Sequence, residues 1–204
     1  TLQSKTSSKA SGRTKKLIAM SLKELCKTNP LRKITIRDIV EHCDINRSTF
    51  YYHFVDKQDV INYVYHVEVT QPLREHFFPG AEKWDELTLY SLQLMYKSKD
   101  FYSQAFRITG QNDIQSFILS EVLENWRIVA DRSLRSLNLI SEGSNLKDLY
   151  YLSDYLAYGA FSMMKTWVLS GMEEPPERIA GLLQLAGTMG MNAYGIVVDS
   201  SSGT

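Results

Sequence analysis

The apolar positions of this chain recur at helical spacing from end to end, and nowhere do they alternate with the period of two that a half-buried strand shows. In residues 35–57, TIRDIVEHCDINRSTFYYHFVDK, the residues Ile36, Ile39, Val40 and Cys43 fall at i, i+3, i+4 and i+7, which makes one face apolar. Thr35 stands where an N-cap belongs, and Asp38 is three residues on to return the hydrogen bond. Asp44 follows at a turn that needs left-handed backbone, a conformation Asp tolerates. Ile45 turns inward, Asn46 caps a second helix, and Phe50 and Phe54 at i, i+4 pack inward. Arg47, Ser48, Thr49, Tyr51, Tyr52 and His53 are left for the outer and flanking surfaces. Asp56 with Asp59 forms another cap pair and starts a further helix, with Lys57 in its first turn. Two short helices joined by a tight turn, the second polar on its outside, form a helix-turn-helix suited to the DNA major groove.

The same periodicity predicts helices elsewhere. The first covers about 12–28, with Ile18, Leu22, Leu25 and Cys26 inward, and stops before Pro30. The helix begun at Asp56 runs to about His76 with Val60, Val64 and Val67 on one stripe, and Pro72 is placed to kink it. Further helices are expected at about 83–97, 99–109, 112–138, 146–170 and 176–197, with breaks at Gly110, at residues 141–145 and from Gly171 to Pro176. The expected architecture is all-α. A three-helix DNA-binding domain over residues 12–58 is fused to an α-helical bundle over residues 59–198. Residues 1–11, rich in Ser, Lys and Thr, are expected to form a disordered basic arm.

Charge sharpens this picture. The whole chain is formally neutral, but residues 1–60 hold 12 Lys+Arg against 6 Asp+Glu, a balance of +6 that the remainder cancels. Such asymmetry points to a nucleic-acid-binding end joined to an acidic partner segment. Lys5, Lys9, Arg13, Lys15 and Lys16 could reach phosphates or the minor groove from the arm. The two cysteines, Cys26 and Cys43, each lie on an apolar helix face and read as buried small hydrophobes, not as a disulfide or a zinc site. No signal peptide or membrane span is visible, so a cytoplasmic protein is expected.

The segment resembles the DNA-binding domain of the TetR family of bacterial transcription regulators. The shared pattern runs T-x-R-D-I, a turn, S-T-F-Y-Y-H-F and then D-K, and covers roughly residues 12–60. Asp44 departs from it, since the family usually has Gly there, and Asn46 stands where Ser is commoner. On this reading Arg37, Arg47, Ser48 and Tyr51 face base edges or adjacent phosphates, with Arg best suited to bidentate contact with guanine. Thr35, Thr49, Tyr52, His53 and Lys57 hold phosphates and fix register.

The carboxy-terminal half is read as sensor and dimer surface. Gly181, Gly187, Gly190 and Gly195 interrupt what is otherwise a helical pattern, and glycine inside a helix costs up to about 1 kcal/mol relative to alanine. Either another backbone approaches closely within the protomer, or the last two helices, about 146–197, pair with a second copy; the resemblance implies the homodimer, and a palindromic site needs one. The resemblance also implies an effector pocket among the middle helices, for which Tyr96, Tyr102, Phe106, Trp126, Tyr158 and Met164 are the candidates. Met163 to Gly171, with Pro175-Pro176-Glu177 beyond, is similar to the branch of the family that includes regulators of dihydroxyacetone kinase operons.

An enzyme is not expected. Ser162-x-x-Lys165 matches a β-lactamase nucleophile motif but lacks the sheet and the Lys-Thr-Gly strand that go with it. His42, His53, His66 and His76 show no metal spacing, and no cofactor is implied. The expected function is a homodimeric, sequence-specific DNA-binding regulator, a repressor whose hold on operator DNA is modulated by a small molecule in the bundle. The alternative is a partner-protein-dependent activator or interaction module of the same fold.

Overall fold

The computed structural model of the chain describes residues 2–77, 84–136 and 146–193, and no strand occurs among them. The helices are α1 (Leu2–Cys26), α2 (Ile36–His42), α3 (Arg47–His53), α4 (Lys57–Tyr65), α5 (Gln71–Phe77), α6 (Trp84–Tyr96), α7 (Lys99–Ala105), α8 (Ile114–Ser136), α9 (Leu146–Leu169) and α10 (Pro176–Ala193). A 3-10 turn, Leu31–Lys33, precedes α2, and a π-helical turn, His66–Thr70, joins α4 to α5.

Helix α1 packs on α2, α3 and α4 to close the small amino-terminal domain. Ile18, Leu22, Leu31, Ile39, Phe50, Val60 and Ile61 are fully buried there, and Phe54 almost so. The expected start of α1 near residue 12 is corrected, because the helix begins at Leu2 and residues 2–11 are helical, not a disordered arm. Once Ile18 and Leu22 anchor the helix, each residue added toward the amino terminus costs only its own ordering, and no proline stands in the way. The cysteines are free and buried as expected, and burial pushes both thiols up.

The linking helix carries a second correction. Val60 and Val64 are buried, but the next fully buried valine is Val69, and Val67 is only half-buried. Pro72 explains the slip. It has no N–H to give to the carbonyl four residues back, and its ring crowds that carbonyl. The chain widens one turn ahead of it, so that the Gln71 N–H reaches His66 O five residues back. The expected kink takes the form of a π turn, which inserts one residue into the inward stripe.

In the bundle, α8 and α9 run along each other, α10 packs on α6 and α9, and α7 bridges α9 and the 3-10 turn. Ser103 Oγ donates to Val168 O at 3.2 Å and Arg107 Nη2 to Leu169 O at 3.0 Å, which ties α7 to the end of α9. Gly171 (φ 85°) and Met172 (φ 54°) then reverse the chain in left-handed backbone, and Trp167 Nε1 donates across the reversal to Glu174 O at 2.8 Å.

Candidate nucleic-acid interface

Local chemistry sets the helix-turn-helix. The Thr35 side chain accepts from the Asp38 N–H while the Asp38 carboxylate accepts the Thr35 N–H at 2.7 Å, a complete capping box. The Thr35 N–H, and next the Thr35 hydroxyl that also donates to this carboxylate at 2.8 Å, hold the Asp38 carboxyl below its usual range. Asp44 takes the left-handed turn at φ 53°. Asn46 Oδ1 then accepts the Thr49 N–H at 2.7 Å and the hydroxyls of Ser48 and Thr49 at 2.6 and 2.9 Å. Asp56 caps α4 in the same way through the Asp59 N–H at 2.8 Å. Ser21 Oγ bonds His42 Nδ1 at 2.7 Å and fastens the end of α2 to α1.

With Phe50 turned inward, α3 presents a continuous polar and aromatic surface. Arg47 and Ser48 are exposed, Tyr51 is 56 % exposed and Tyr52 79 % exposed. Thr49 and His53 are half-buried at its edge. Lys15 on α1 lies 5.4 Å from the Phe54 ring centre, and Ser11 Oγ is 3.4 Å from His53 Nδ1, so α1 borders this face. Burial, with Lys15 beside it, lowers the His53 pKa. Arg37 is exposed on α2 and paired with Glu41. The structure therefore brings Arg47, Ser48, Thr49, Tyr51, Tyr52 and His53 onto one helix, with Thr35 and Arg37 at the start of its neighbour. The side chains of Lys5 and Lys9 lie outside those described.

Lys57 turns toward the segment that precedes α2. Its ammonium donates to Ile34 O at 2.7 Å, Leu31 O at 2.9 Å and Arg32 O at 3.4 Å. All three of its donors face the carbonyls of the 3-10 turn, and burial lowers its pKa. Gln104 on α7 holds the other side of that turn, its Oε1 accepting the Leu31 N–H at 2.8 Å. Neither partner is visible in a helical pattern. Lys57 thereby braces the segment that leads into the Thr35 cap. Lys57→Ala should lower stability by about 1.5–3 kcal/mol, the usual worth of hydrogen bonds to a charged group, seen as a lower melting temperature. The salt dependence of duplex-DNA affinity should stay as it was; a slope reduced by about one unit per half-site would restore the phosphate role.

Of the six residues expected to line one effector pocket, the five with described side chains do not border one common cavity. Tyr102 and Phe106 are fully buried core, and the Tyr102 hydroxyl donates to Glu68 Oε2 at 3.1 Å. Tyr158 faces outward and is 53 % exposed. Met164 borders an interior cavity of about 70 Å³ with Thr88, Ser91 and Phe161, and a neighbouring cavity measures about 40 Å³. Tyr96 lines an outer cleft with Lys97 and Lys99. The side chain of Trp126 lies outside those described. Among the described residues no three His, Cys, Asp or Glu side chains gather as a metal site would require.

A family model described as bacterial regulatory proteins, tetR family, matches residues 22–64. One described as transcriptional regulator C-terminal region matches residues 82–186. The HTH-type dhaKLM operon transcriptional activator DhaS of Lactococcus lactis subsp. lactis (strain IL1403) is 25 % identical over 95 residues, 47 % of this chain and 50 % of that protein. The match thus spans about half the length of that curated relative. Among solved structures, the dihydroxyacetone kinase operon activator DhaS superposes with a TM-score of 0.61 at 18 % identity, covering 88 % of this chain and 97 % of that one. A TetR-family transcriptional regulator from Syntrophomonas wolfei str. Goettingen superposes at 0.60 with 16 % identity, covering 93 % and 99 %. At these identities the superpositions speak for the fold. No helix among the described residues is long and apolar enough to cross a membrane.

Proposed function

The chain belongs to the TetR family of bacterial transcription regulators, and from that premise we propose that it binds a two-half-site operator in double-stranded DNA as a homodimer. The observation that carries this reading is α3. It is capped by Asn46, aimed by the Asp44 turn and backed by Phe50, and it leaves Arg47, Ser48, Tyr51 and Tyr52 open to a groove. One such helix reads too few bases, whereas two helices about 34 Å apart enter successive turns of the same groove face.

The carboxy-terminal helices supply the surface that would set this distance. On α9, Tyr151, Tyr155 and Tyr158 stand exposed at i, i+4 and i+7, and on α10 Leu182, Leu185 and Met189 do so at i, i+3 and i+7. Gly159 and Gly181 sit one turn from Tyr155 and Leu185, and a Cβ added at either would meet nothing within 4 Å. Close packing inside the protomer therefore does not account for these glycines, and the approach of a second copy does. An effector that favours one arrangement of the bundle would move the linking helix and change the distance between the two copies of α3. It acts only through its differential affinity for the two arrangements.

In the first reading the bound dimer represses by occupying its operator, and a small molecule releases it. The second reading is a partner-dependent activator, favoured by the likeness to DhaS, an operon activator. Selection from random duplex DNA tests the shared premise. The expected outcome is a palindromic motif with half-sites about one helical turn apart. Arg47→Ala should relax preference at one base position of that motif, at a cost of about 1–3 kcal/mol for a bidentate contact. A folded protein that enriches no motif would sink the premise, and an unchanged motif with Arg47→Ala would remove that residue from base reading.

A further inference from the structure

Between the carboxy-terminal end of α1 and the corner where α6 meets α7 lies a cleft of about 800 Å³. That size suits a small-molecule ligand, for which roughly 300–1,000 Å³ is usual. Its walls come from both domains. Lys23 stands in the last turn of α1 and Lys27 just past its end, while Lys97 and Lys99 flank Ser98 at the bundle corner. Asp100 is the carboxylate in the same wall. Carboxylates already pair with Lys23 and Lys27, and an anion placed among the four lysines adds the attraction of Lys97 and Lys99.

The four lysines are held unequally. Lys23 is the most enclosed; its ammonium pairs with Glu68 and donates to Ser98 Oγ at 2.9 Å. Lys27 pairs with Glu24 at 2.7 Å on the solvent side. The Lys99 ammonium lies 5.3 Å from the Tyr96 ring centre, and Tyr96 in turn stacks on Trp167 at 6.2 Å and 11°. The aromatic pair gives the bundle wall a firm base beneath one of its cations. Lys97 is exposed.

We infer that this cleft binds a small polyanion, a phosphate- or carboxylate-bearing metabolite, held by Lys97 and Lys99 from the bundle and by Lys23 and Lys27 from the DNA-binding domain. An anion there competes with Glu68 for Lys23. Glu68 lies in the π turn ahead of Pro72 and also accepts from the buried Tyr102 hydroxyl, so its release loosens the joint between linking helix and bundle. The binding site stands by itself; its regulatory consequence rests on the DNA-binding reading above.

The test uses the full chain without DNA, titrated calorimetrically with inorganic pyrophosphate and, separately, with citrate. Two double variants are compared, Lys97→Gln with Lys99→Gln in the cleft and Arg37→Gln with Arg47→Gln on the recognition face. All four residues are exposed, so helicity should be unchanged in both, and circular dichroism checks it. The expected result is one ion per protomer, weakened at least about tenfold by the cleft pair, a change of about 1.4 kcal/mol, and unaltered by the recognition-face pair. Which probe binds distinguishes a phosphate from a carboxylate ligand. No saturable binding of either probe overturns the inference, as does binding that survives the cleft pair or falls equally with both pairs. Since no DNA is present, failure here leaves the operator reading untouched, and failure to find an operator leaves this result standing.

Discussion

Leu185→Lys combined with Met189→Lys should yield a folded monomer that no longer holds a two-half-site operator. Both side chains are more than half exposed in the protomer, at 57 % and 64 %, so their replacement removes little from its own core. On a second copy they would face like residues, and four ammonium groups would have to be buried together, unpaired, which opposes association. Sedimentation should show the monomer, and circular dichroism the helices intact. Operator affinity should then fall by at least about a hundredfold, because the second half-site contact no longer benefits from the effective concentration that tethering provides. A dimer that survives both lysines would move the interface away from α10. A monomer with undiminished operator affinity would refute the two-half-site premise.

What was legible in the sequence is what closes within one turn of chain. The pairs Thr35–Asp38, Asn46–Thr49 and Asp56–Asp59 each lie three residues apart, and all of them bond as their spacing predicts. The left-handed turn at Asp44 and the inward Phe50 and Phe54 follow from the same local grammar. Legibility ends where a partner comes from far away. The carbonyls that engage Lys57 lie 23 to 26 residues upstream, and the Gln104 side chain that caps the other side of that turn comes from 73 residues downstream. The π turn also escapes a fixed period, since it moves the inward position from Val67 to Val69. The expected effector pocket scattered for a related reason. Aromatic residues at helical spacing announce a buried face, but whether that face meets solid core, as at Tyr102, or open solvent, as at Tyr158, depends on which helix packs over it.

Phe50 and Tyr52 are two residues apart on α3, and truncating them should separate folding from recognition. Phe50 is fully buried, with its ring centre 5.5 Å from Tyr51 and 6.0 Å from Phe54. Phe50→Ala should cost about 3–5 kcal/mol through lost burial and the cavity left behind. A small domain has few kilocalories to spare, total stabilities being about 5–15 kcal/mol. The amino-terminal domain should therefore melt well below the bundle, and all DNA binding should be lost while dimerisation persists. Tyr52 is 79 % exposed, and its ring meets His53 edge-on at 4.9 Å. Tyr52→Ala should leave the melting temperature almost unmoved, since exposed substitutions usually stay within about 0.5 kcal/mol. It should nevertheless weaken DNA binding, because the ring lies on the surface proposed above to meet the duplex. The pair is decided by measuring thermal unfolding and duplex affinity on the same samples. If Tyr52→Ala bound DNA like the parent chain, the outer face of α3 would not be the contact surface. If Phe50→Ala melted like the parent, the amino-terminal core would not be organised around that ring.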